Sequence, residues 1–276
     1  MRFIKPIVIG IFLVVVAIFI FSWAKFKMSI DGTSPTIQMK DKLIKVSVKA
    51  KDEDLLKNIK ATDNKDGDIT DGLLVESISK FVDKKKHISN ITYAVEDSSH
   101  NVAKATRQIQ YTDYVKPRFV LTQPLCLETG SDENLKEIIG AKDCIDGNIS
   151  RKVKILSTTF STLSTGDSTV TAQVTNSKGN TANMKAHVIV KSTNVKAPTI
   201  NLKENLLYLK KGEKFREMDY VKSVTDNKGN KLSKKYVKVF RSTVNEKKKG
   251  SYYVEYIINE GKTSESRTNL VVLVED

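Results

Sequence analysis

Residues 61–69 read ATDNKDGDI, and a closely similar stretch, AKDCIDGNI, occupies residues 141–149. A shortened form, VTDNKGN, follows at residues 224–230. The leading aspartates of the three stretches, Asp63, Asp143 and Asp226, are 80 and 83 residues apart. A spacing this regular indicates an internal repeat, and a repeat constrains the fold more strongly than any single motif.

Two further landmarks recur at nearly the same spacing. Pro35, Pro117 and Pro198 precede the acidic stretches and are 82 and 81 residues apart. A second turn follows each acidic stretch and reads DSSHN from residue 97, NSKGN from residue 176 and NEGK from residue 259. The 276-residue chain is therefore predicted to contain four segments. They are a membrane segment at 1–27 and three modules at 28–115, 116–195 and 196–276.

Within each module, apolar and polar residues alternate with a period of two. This pattern is typical of β-strands with one buried and one solvated face. Several short strands separated by Gly, Asn and Asp turns favour an antiparallel sandwich. The predicted fold is all-β, with three tandem immunoglobulin-like antiparallel β-sandwiches behind a single transmembrane helix. Clear examples of the alternation are 44–50, 91–95, 170–174, 184–190 and 252–258, and we assign Leu270, Val272 and Val274 to the inner face of a further strand.

The segment before the first module is apolar. Residues 6–24 carry no charge, and as a helix they would span about 28 Å, close to the hydrocarbon thickness of a bilayer. We expect a single-pass protein of the cell membrane, because long downstream domains are exported largely regardless of flanking charge. The short N-terminus would be cytoplasmic and the modules extracellular. Small residues at Ser22 and Ala24 also permit cleavage before Lys25, which would release a secreted protein.

The residues of the first module resemble a known family. The acidic stretch at 61–70, with ITYAVEDS at 91–98 and NVA at 101–103, resembles bacterial immunoglobulin-like modules of the pesticidal-crystal-protein type. The resemblance extends to the second module and, more weakly, to the third. It implies an immunoglobulin-like fold and an extracellular setting on a Gram-positive bacterium, often as a spacer or adhesive unit. It implies no particular activity, since such modules carry many functions.

Four carboxylates lie within nine residues of the first acidic stretch, which suggests calcium. Their spacing differs from that of an EF-hand loop, and no glutamate stands at its twelfth position. The second module keeps only Asp143 and Asp146 of the set, and the third keeps only Asp226. Asp side chains also shape turns by accepting backbone N–H bonds, and we favour that interpretation. We expect no other cofactor. The candidate calcium ligands are Asp63, Asp66, Asp68 and Asp71.

The only cysteines, Cys126 and Cys144, both lie in the second module. Oxidised, they would close a loop that restricts the unfolded chain and adds about 3 kcal/mol of stability. Their positions are equally compatible with two free thiols. The sequence leaves both alternatives open.

Basic residues exceed acidic ones by 14 in the whole chain, and the third module is the most basic. We expect its lysines at the membrane-distal end, where they would attract an anionic polymer such as a cell-wall or host glycan. The alternative is that they keep strand edges soluble. The clusters lack interleaved aromatic residues, so a nucleic-acid partner is not expected. The candidate contact residues are Lys210, Lys211, Lys234, Lys235, Lys247, Lys248 and Lys249.

The sequence does not favour an enzyme. Its three histidines are scattered, and it contains no phosphate-binding glycine loop, zinc-type spacing or serine-nucleophile elbow. The leading hypothesis is therefore a membrane-anchored extracellular stalk or interaction protein, with the third module as contact surface. A cleaved adhesin-like or carbohydrate-binding protein and an accessory subunit of an envelope complex are the alternatives.

Overall fold

The computed structural model describes residues 4–29, 31–159, 161–193, 197–259 and 265–276. The chain forms two compact units, Met1–Asp113 and Tyr114–Asp276. The first contains the N-terminal helix and one copy of the repeat, and the second contains two copies. The module boundaries at 115/116 and 195/196 stay predictions.

The apolar segment forms one long helix, α1 (Ile4–Ser29). Its part from Val8 to Lys27 is long and apolar enough to cross a membrane, although a signal sequence has the same properties. None of the described side chains of α1 is buried within the protein. Such an exposed apolar surface is typical of a membrane anchor or a signal sequence.

In the described parts of the chain, each repeat contains seven strands in the same order. The first has β1 (Thr36–Met39), β2 (Leu43–Val46), β3 (Ile59–Asp63), β4 (Gly67–Asp68), β5 (Leu74–Asp83), β6 (Ile88–Glu96) and β7 (Val102–Tyr111). The second has β8 (Arg118–Leu121), β9 (Cys126–Glu128), β10 (Ile139–Asp143), β11 (Gly147–Asn148), β12 (Lys154–Thr158), β13 (Gly166–Thr175) and β14 (Thr181–Lys191). The third has β15 (Thr199–Leu202), β16 (Leu206–Lys210), β17 (Val221–Thr225), β18 (Lys231–Leu232), β19 (Val237–Ser242), β20 (Gly250–Asn259) and β21 (Glu265–Glu275).

The strands of each repeat form a three-stranded and a four-stranded sheet. The three-stranded sheets have the orders β1-β3-β4, β8-β10-β11 and β15-β17-β18. The four-stranded sheets have the orders β2-β7-β6-β5, β9-β14-β13-β12 and β16-β21-β20-β19. Apolar residues from both sheets meet in a common core, for example Phe119 and Ile139 with Val170 and Met184. The all-β, immunoglobulin-like fold is thereby confirmed.

The four-stranded sheets are not wholly antiparallel, which corrects one part of the prediction. In each repeat the chain leaves the first sheet after its first strand and crosses to the edge of the second. There it runs parallel to the seventh strand, so β2 pairs with β7, β9 with β14 and β16 with β21. Alternation of apolar residues does not reveal strand direction, because either orientation buries every second side chain.

Short helices occur after the second strand in the first two repeats. These are α2 (Asp52–Leu55) and α3 (Leu135–Ile138), each of one turn. Their leucines are buried, so each helix closes one edge of the sandwich core. A 3-10 turn at Glu217–Tyr220 precedes β17 in the third repeat.

The second and third repeats share buried surface within the second unit. Strand β21 is buried on both faces: Leu270 and Val272 belong to the core of the third sandwich, whereas Val271 and Leu273 belong to that of the second. The expectation of one solvated face is therefore wrong for β21. The uninterrupted apolar run at 270–274 was the available signal, because a strand buried on both faces needs no polar alternation.

Polar groups complete this shared surface at the crossing of β14 with β20 and β21. The ring of His187 stacks on Tyr253 with 3.9 Å between ring centroids, and its Nε2 lies 3.7 Å from a carboxylate oxygen of Asp167. The backbone oxygen of His187 accepts a bond from the Asn269 amide over 2.9 Å. Burial lowers the pKa of His187. The ring therefore acts here as a packing surface between the two sandwiches.

Candidate functional site

Three buried carboxylates meet in the first unit. Asp31, Asp63 and Asp97 each place one oxygen within 4.8 Å of the others. Asp31 lies just before the first strand, Asp63 ends β3 and Asp97 follows β6. The sequence had identified only Asp63 of this cluster, because Asp31 lies outside the acidic stretch and the second repeat has Asn176 where the first has Asp97.

Backbone and amide donors hold the cluster. One oxygen of Asp63 accepts from the amides of Lys65 and Asp66, at 2.8 and 3.0 Å. These two bonds, that from Asp66 first, hold the pKa of Asp63 below its usual value. The Asn101 side chain donates to the carboxylate of Asp97 and to the backbone oxygen of Asp31. The cluster thus ties the segment after α1 to two turns of the sandwich.

The structure does not bring the four predicted calcium ligands together. Asp66 accepts from the backbone and hydroxyl of Ser98, at 2.7 and 2.8 Å, and Asp68 caps the amide of Thr70 at 3.0 Å. Asp71 is exposed and accepts no hydrogen bond from the described residues. Three of the four carboxylates thus lie outside the cluster that contains Asp63.

The second repeat has the same turn with a less acidic centre. Asp143 accepts from the amides of Ile145 and Asp146, as Asp63 does from its own turn. Its other oxygen accepts from the Asn176 amide, which also contacts the hydroxyl of Tyr114 at 2.8 Å. The Asn176 amide and the Tyr114 phenol therefore contact this aspartate, where Asp97 and Asp31 approach Asp63 in the first repeat.

The third repeat closes its turn differently. Asp226 accepts from the amides of Lys228 and Asn230 and from the Asn230 side chain. The paired residues Thr225 and Lys231 enclose five residues, as the corresponding Thr62 and Asp68 do. The turn therefore keeps its length, and the difference lies in the amides that the leading aspartate binds, Asn230 in the third repeat and Asp66 in the first.

The candidate disulfide is not formed in this structure. Cys126 and Cys144 are free thiols. Cys126 lies on β9 and donates to the backbone oxygen of Arg267 at 3.2 Å, while Cys144 lies in the acidic turn and donates to that of Val115 at 3.0 Å. Burial raises the pKa of Cys126 to about 11. Each sulfur is thus held by a different part of the second unit.

Five of the seven candidate lysines lie together at one end of the β16-β21-β20-β19 sheet. In the strand register, Lys210 of β16 lies opposite Glu275 near the end of β21. Residues 247–249 lie in the turn before β20. The amide of Gly212 donates to the carbonyl of Glu246 over 2.8 Å and joins the two lysine-bearing turns. All five lysine side chains are exposed. The basic end is defined as Lys210, Lys211, Lys247, Lys248 and Lys249.

The other two lysines lie at the opposite end of this sheet. Lys234 and Lys235 precede β19, whose first residue pairs with Ile258. Ile258 is eight residues along β20 from Gly250, a distance of about 27 Å in an extended strand. The ammonium of Lys234 donates to the backbone oxygen of Val221 at 2.7 Å, so this lysine has a structural partner.

The basic end lies beside the first residues of the second unit. Lys116 and Arg118 form salt bridges with Glu275 at 2.7 and 3.2 Å. Within the second unit, the predicted contact lysines are therefore divided between two ends of one sheet, and their membrane-distal location stays a prediction. Because the second and third sandwiches pack through a shared core, the last residues of the chain return to the place where the unit begins.

No protein-family model matches the chain, and no curated protein sequence matches it. Among solved structures, it is similar to the M60 catalytic domain with the CBM51-1 and CBM51-2 domains of Clostridium perfringens ZmpB, at 14% identity and a TM-score of 0.26. That match covers 90% of this chain and 31% of the other. CBM51-2 in complex with GlcNAc and the INT domains of the same protein match at 15% identity and 0.23, covering 88% of this chain and 42% of the other.

A protocadherin structure gives a similar result. The gammaB7 EC3-6 cis-dimer matches at 10% identity and a TM-score of 0.21, covering 88% of this chain and 74% of the other. The chain thus spans less than half the length of the two ZmpB structures and about three quarters of the protocadherin. At these TM-scores the similarities carry no argument about binding.

Proposed function

We propose that the protein is a membrane-anchored extracellular spacer and binding protein, held in the membrane by α1. The observation that carries the proposal is the helix itself: its stretch from Val8 to Lys27 is long and apolar enough to cross a membrane, spans about 30 Å, and has no buried side chain among the described residues. The resemblance of the first module to surface-exposed bacterial modules supports the extracellular orientation.

The fixed attachment of the first sandwich supports a spacer role. Asn101 donates to the backbone oxygens of Asp31 and Thr33, and Asp31 accepts from the amide of Thr33. These bonds order residues 31–33 against the sandwich. The module is therefore joined to α1 by a short connection rather than by a long flexible tether.

The anchor is tested by fractionating bacteria that express the full chain with a C-terminal epitope. We expect the protein in the carbonate-resistant membrane pellet, with the Ala24–Lys25 bond intact by mass spectrometry and with the epitope removed by protease added to intact cells. A soluble protein beginning at Lys25 would support the secreted alternative. An epitope protected in intact cells would overturn the extracellular orientation.

A pair of charge substitutions makes this test specific. Val14→Arg places a charge near the middle of the span, at a cost of about 2.5–3.5 kcal/mol, and is expected to shift protein from the membrane to the soluble fraction. Gln38→Arg adds the same charge on the exposed surface of β1 and is expected to leave the distribution unchanged. Equal behaviour of the two variants would contradict an anchoring role for α1.

A further inference from the structure

Acidic side chains at the basic end are largely engaged. Glu213 accepts from the amide of Lys210, and Glu246 accepts from that of Phe215. Glu275 pairs with Lys116 and Arg118, and Asp276 pairs with Lys249. The carboxylates that could neutralise the lysines are thus used by backbone amides or by other cations.

Four ammonium groups at this end have no ion-pair partner. Among the described residues, no carboxylate lies within salt-bridge distance of Lys210, Lys211, Lys247 or Lys248. Lys211 also contributes, after Lys249, to lowering the pKa of Asp276, which places its charge near the end of β21. A set of exposed, unneutralised charges on two joined turns attracts anions.

The residue types suit a phosphate ligand. All five residues of the basic end are lysines, whose compact ammonium groups bind phosphate as point charges. One exposed ion pair contributes little, so useful affinity requires several contacts at once. A polymer with a regular series of phosphates supplies them.

We propose that the basic end binds a phosphate-bearing polymer, recognised by the spacing of its charges rather than by its backbone. The biological relevance of this site rests on the proposed extracellular function. The site lies beside the first residues of the second unit, where Lys116 and Arg118 bind Glu275. The shared core of the two sandwiches maintains the site, because β16, β20 and β21 all belong to it.

The proposal is tested with purified full-length protein in detergent micelles and linear inorganic polyphosphate as the probe. We expect binding that weakens steeply with salt. The double variant Lys211→Gln/Lys248→Gln should bind about tenfold more weakly, and its logarithmic salt slope should fall by about 1.4, or about 0.7 for each lost contact. Unchanged affinity and slope in this variant would overturn the proposal.

The matched control removes two exposed lysines from the other end of the sheet, as Lys235→Gln/Lys238→Gln. This variant has the same net charge and should retain nearly all of the affinity. An equal loss would show a general effect of charge and overturn a localised site. Thermal melting of both variants at the wild-type temperature shows that the fold is intact.

Two further polymers define the specificity. Polyglutamate of equal charge should bind more weakly than polyphosphate, and equal binding would overturn the preference for phosphate. A single-stranded DNA oligonucleotide of equal charge should bind no more tightly, and tighter binding would identify a nucleic-acid site instead. Because these measurements use purified protein, they are independent of whether α1 proves to be an anchor.

Discussion

At the scale of residues, one carboxylate-to-serine contact joins the two turns of the first repeat and recurs in the second. Asp66 binds the backbone and hydroxyl of Ser98, and Asp146 binds those of Ser177. The paired residues are 32 and 31 positions apart in sequence. The third repeat has Gly229 at the corresponding place and lacks the contact. The acidic stretch is thus used to close the sandwich.

Asp66→Ala is expected to destabilise the first unit by about 1–2 kcal/mol, because it removes a charged acceptor from two hydrogen bonds. The loss is measured as the free energy of unfolding in urea. Asp71→Ala removes a nearby carboxylate, in the 3-10 turn Thr70–Gly72, without breaking a bond and should change stability by less than about 0.5 kcal/mol.

The same variants separate turn closure from metal binding. If turn closure is the role of these residues, the difference between Asp66→Ala and Asp71→Ala should be equal with millimolar calcium and with chelator. A melting temperature that rises with calcium in the wild type, and no longer rises in Asp63→Asn, would contradict this interpretation.

At the scale of elements, the outward positions of the seventh strand distinguish the repeats. The seventh strands can be aligned by their pairing with the parallel second strands, β2 with β7 and β16 with β21. In this alignment Gln108 and Gln110 of β7 correspond to Val271 and Leu273 of β21. Gln108 is exposed, whereas Val271 is fully buried. In β14 the outward residue Ile189 is also buried. Apolar residues at outward positions therefore specify the pairing of the second and third sandwiches.

Val271→Ala is expected to lower the free energy of unfolding of the second unit by about 2 kcal/mol, through loss of two buried methyl groups and the cavity that they leave. Gln108→Ala, at the aligned position of β7, should have an effect below about 0.5 kcal/mol. Unfolding is followed by near-ultraviolet circular dichroism in urea. Similar losses at the two positions would contradict the shared core.

Local patterns predicted the strands and the repeat, but not which sandwiches pack together. Alternation at 184–190 fixes the inner face of β14, because the side-chain period of a strand is two. The destination of its outer face depends on β20 and β21, about 60 to 85 residues further along the chain. The carboxylate cluster was missed for the same reason, since Asp31 and Asp97 approach Asp63 only when three separate segments fold together.

At the scale of the whole molecule, the repeats assemble unequally. One sandwich forms a compact unit with α1, whereas the other two form a second unit that shares buried strands. The sequence repeat suggests three equivalent modules, yet the compact unit in the C-terminal part is a pair. Removing the third repeat would expose Ile189 and open the core of the second, so neither partner is expected to be stable alone.

The two thiols report on this pairing, because they differ in their surroundings. Cys144 is exposed, whereas Cys126 lies against the backbone of Arg267 from the third repeat. A pKa of about 11 instead of 9.0 lowers the thiolate fraction of Cys126 about 100-fold at pH 8. In the single-thiol variants Cys126→Ser and Cys144→Ser, reaction with an aromatic disulfide reagent should be fast for Cys144 and at least about 100-fold slower for Cys126.

Val271→Ala should accelerate the Cys126 reaction by weakening the contact between the sandwiches. Equal rates for the two thiols, or a Cys126 rate unaffected by Val271→Ala, would contradict a paired second unit. Wild-type protein that shows reactive thiols only after reduction would instead indicate the Cys126–Cys144 disulfide.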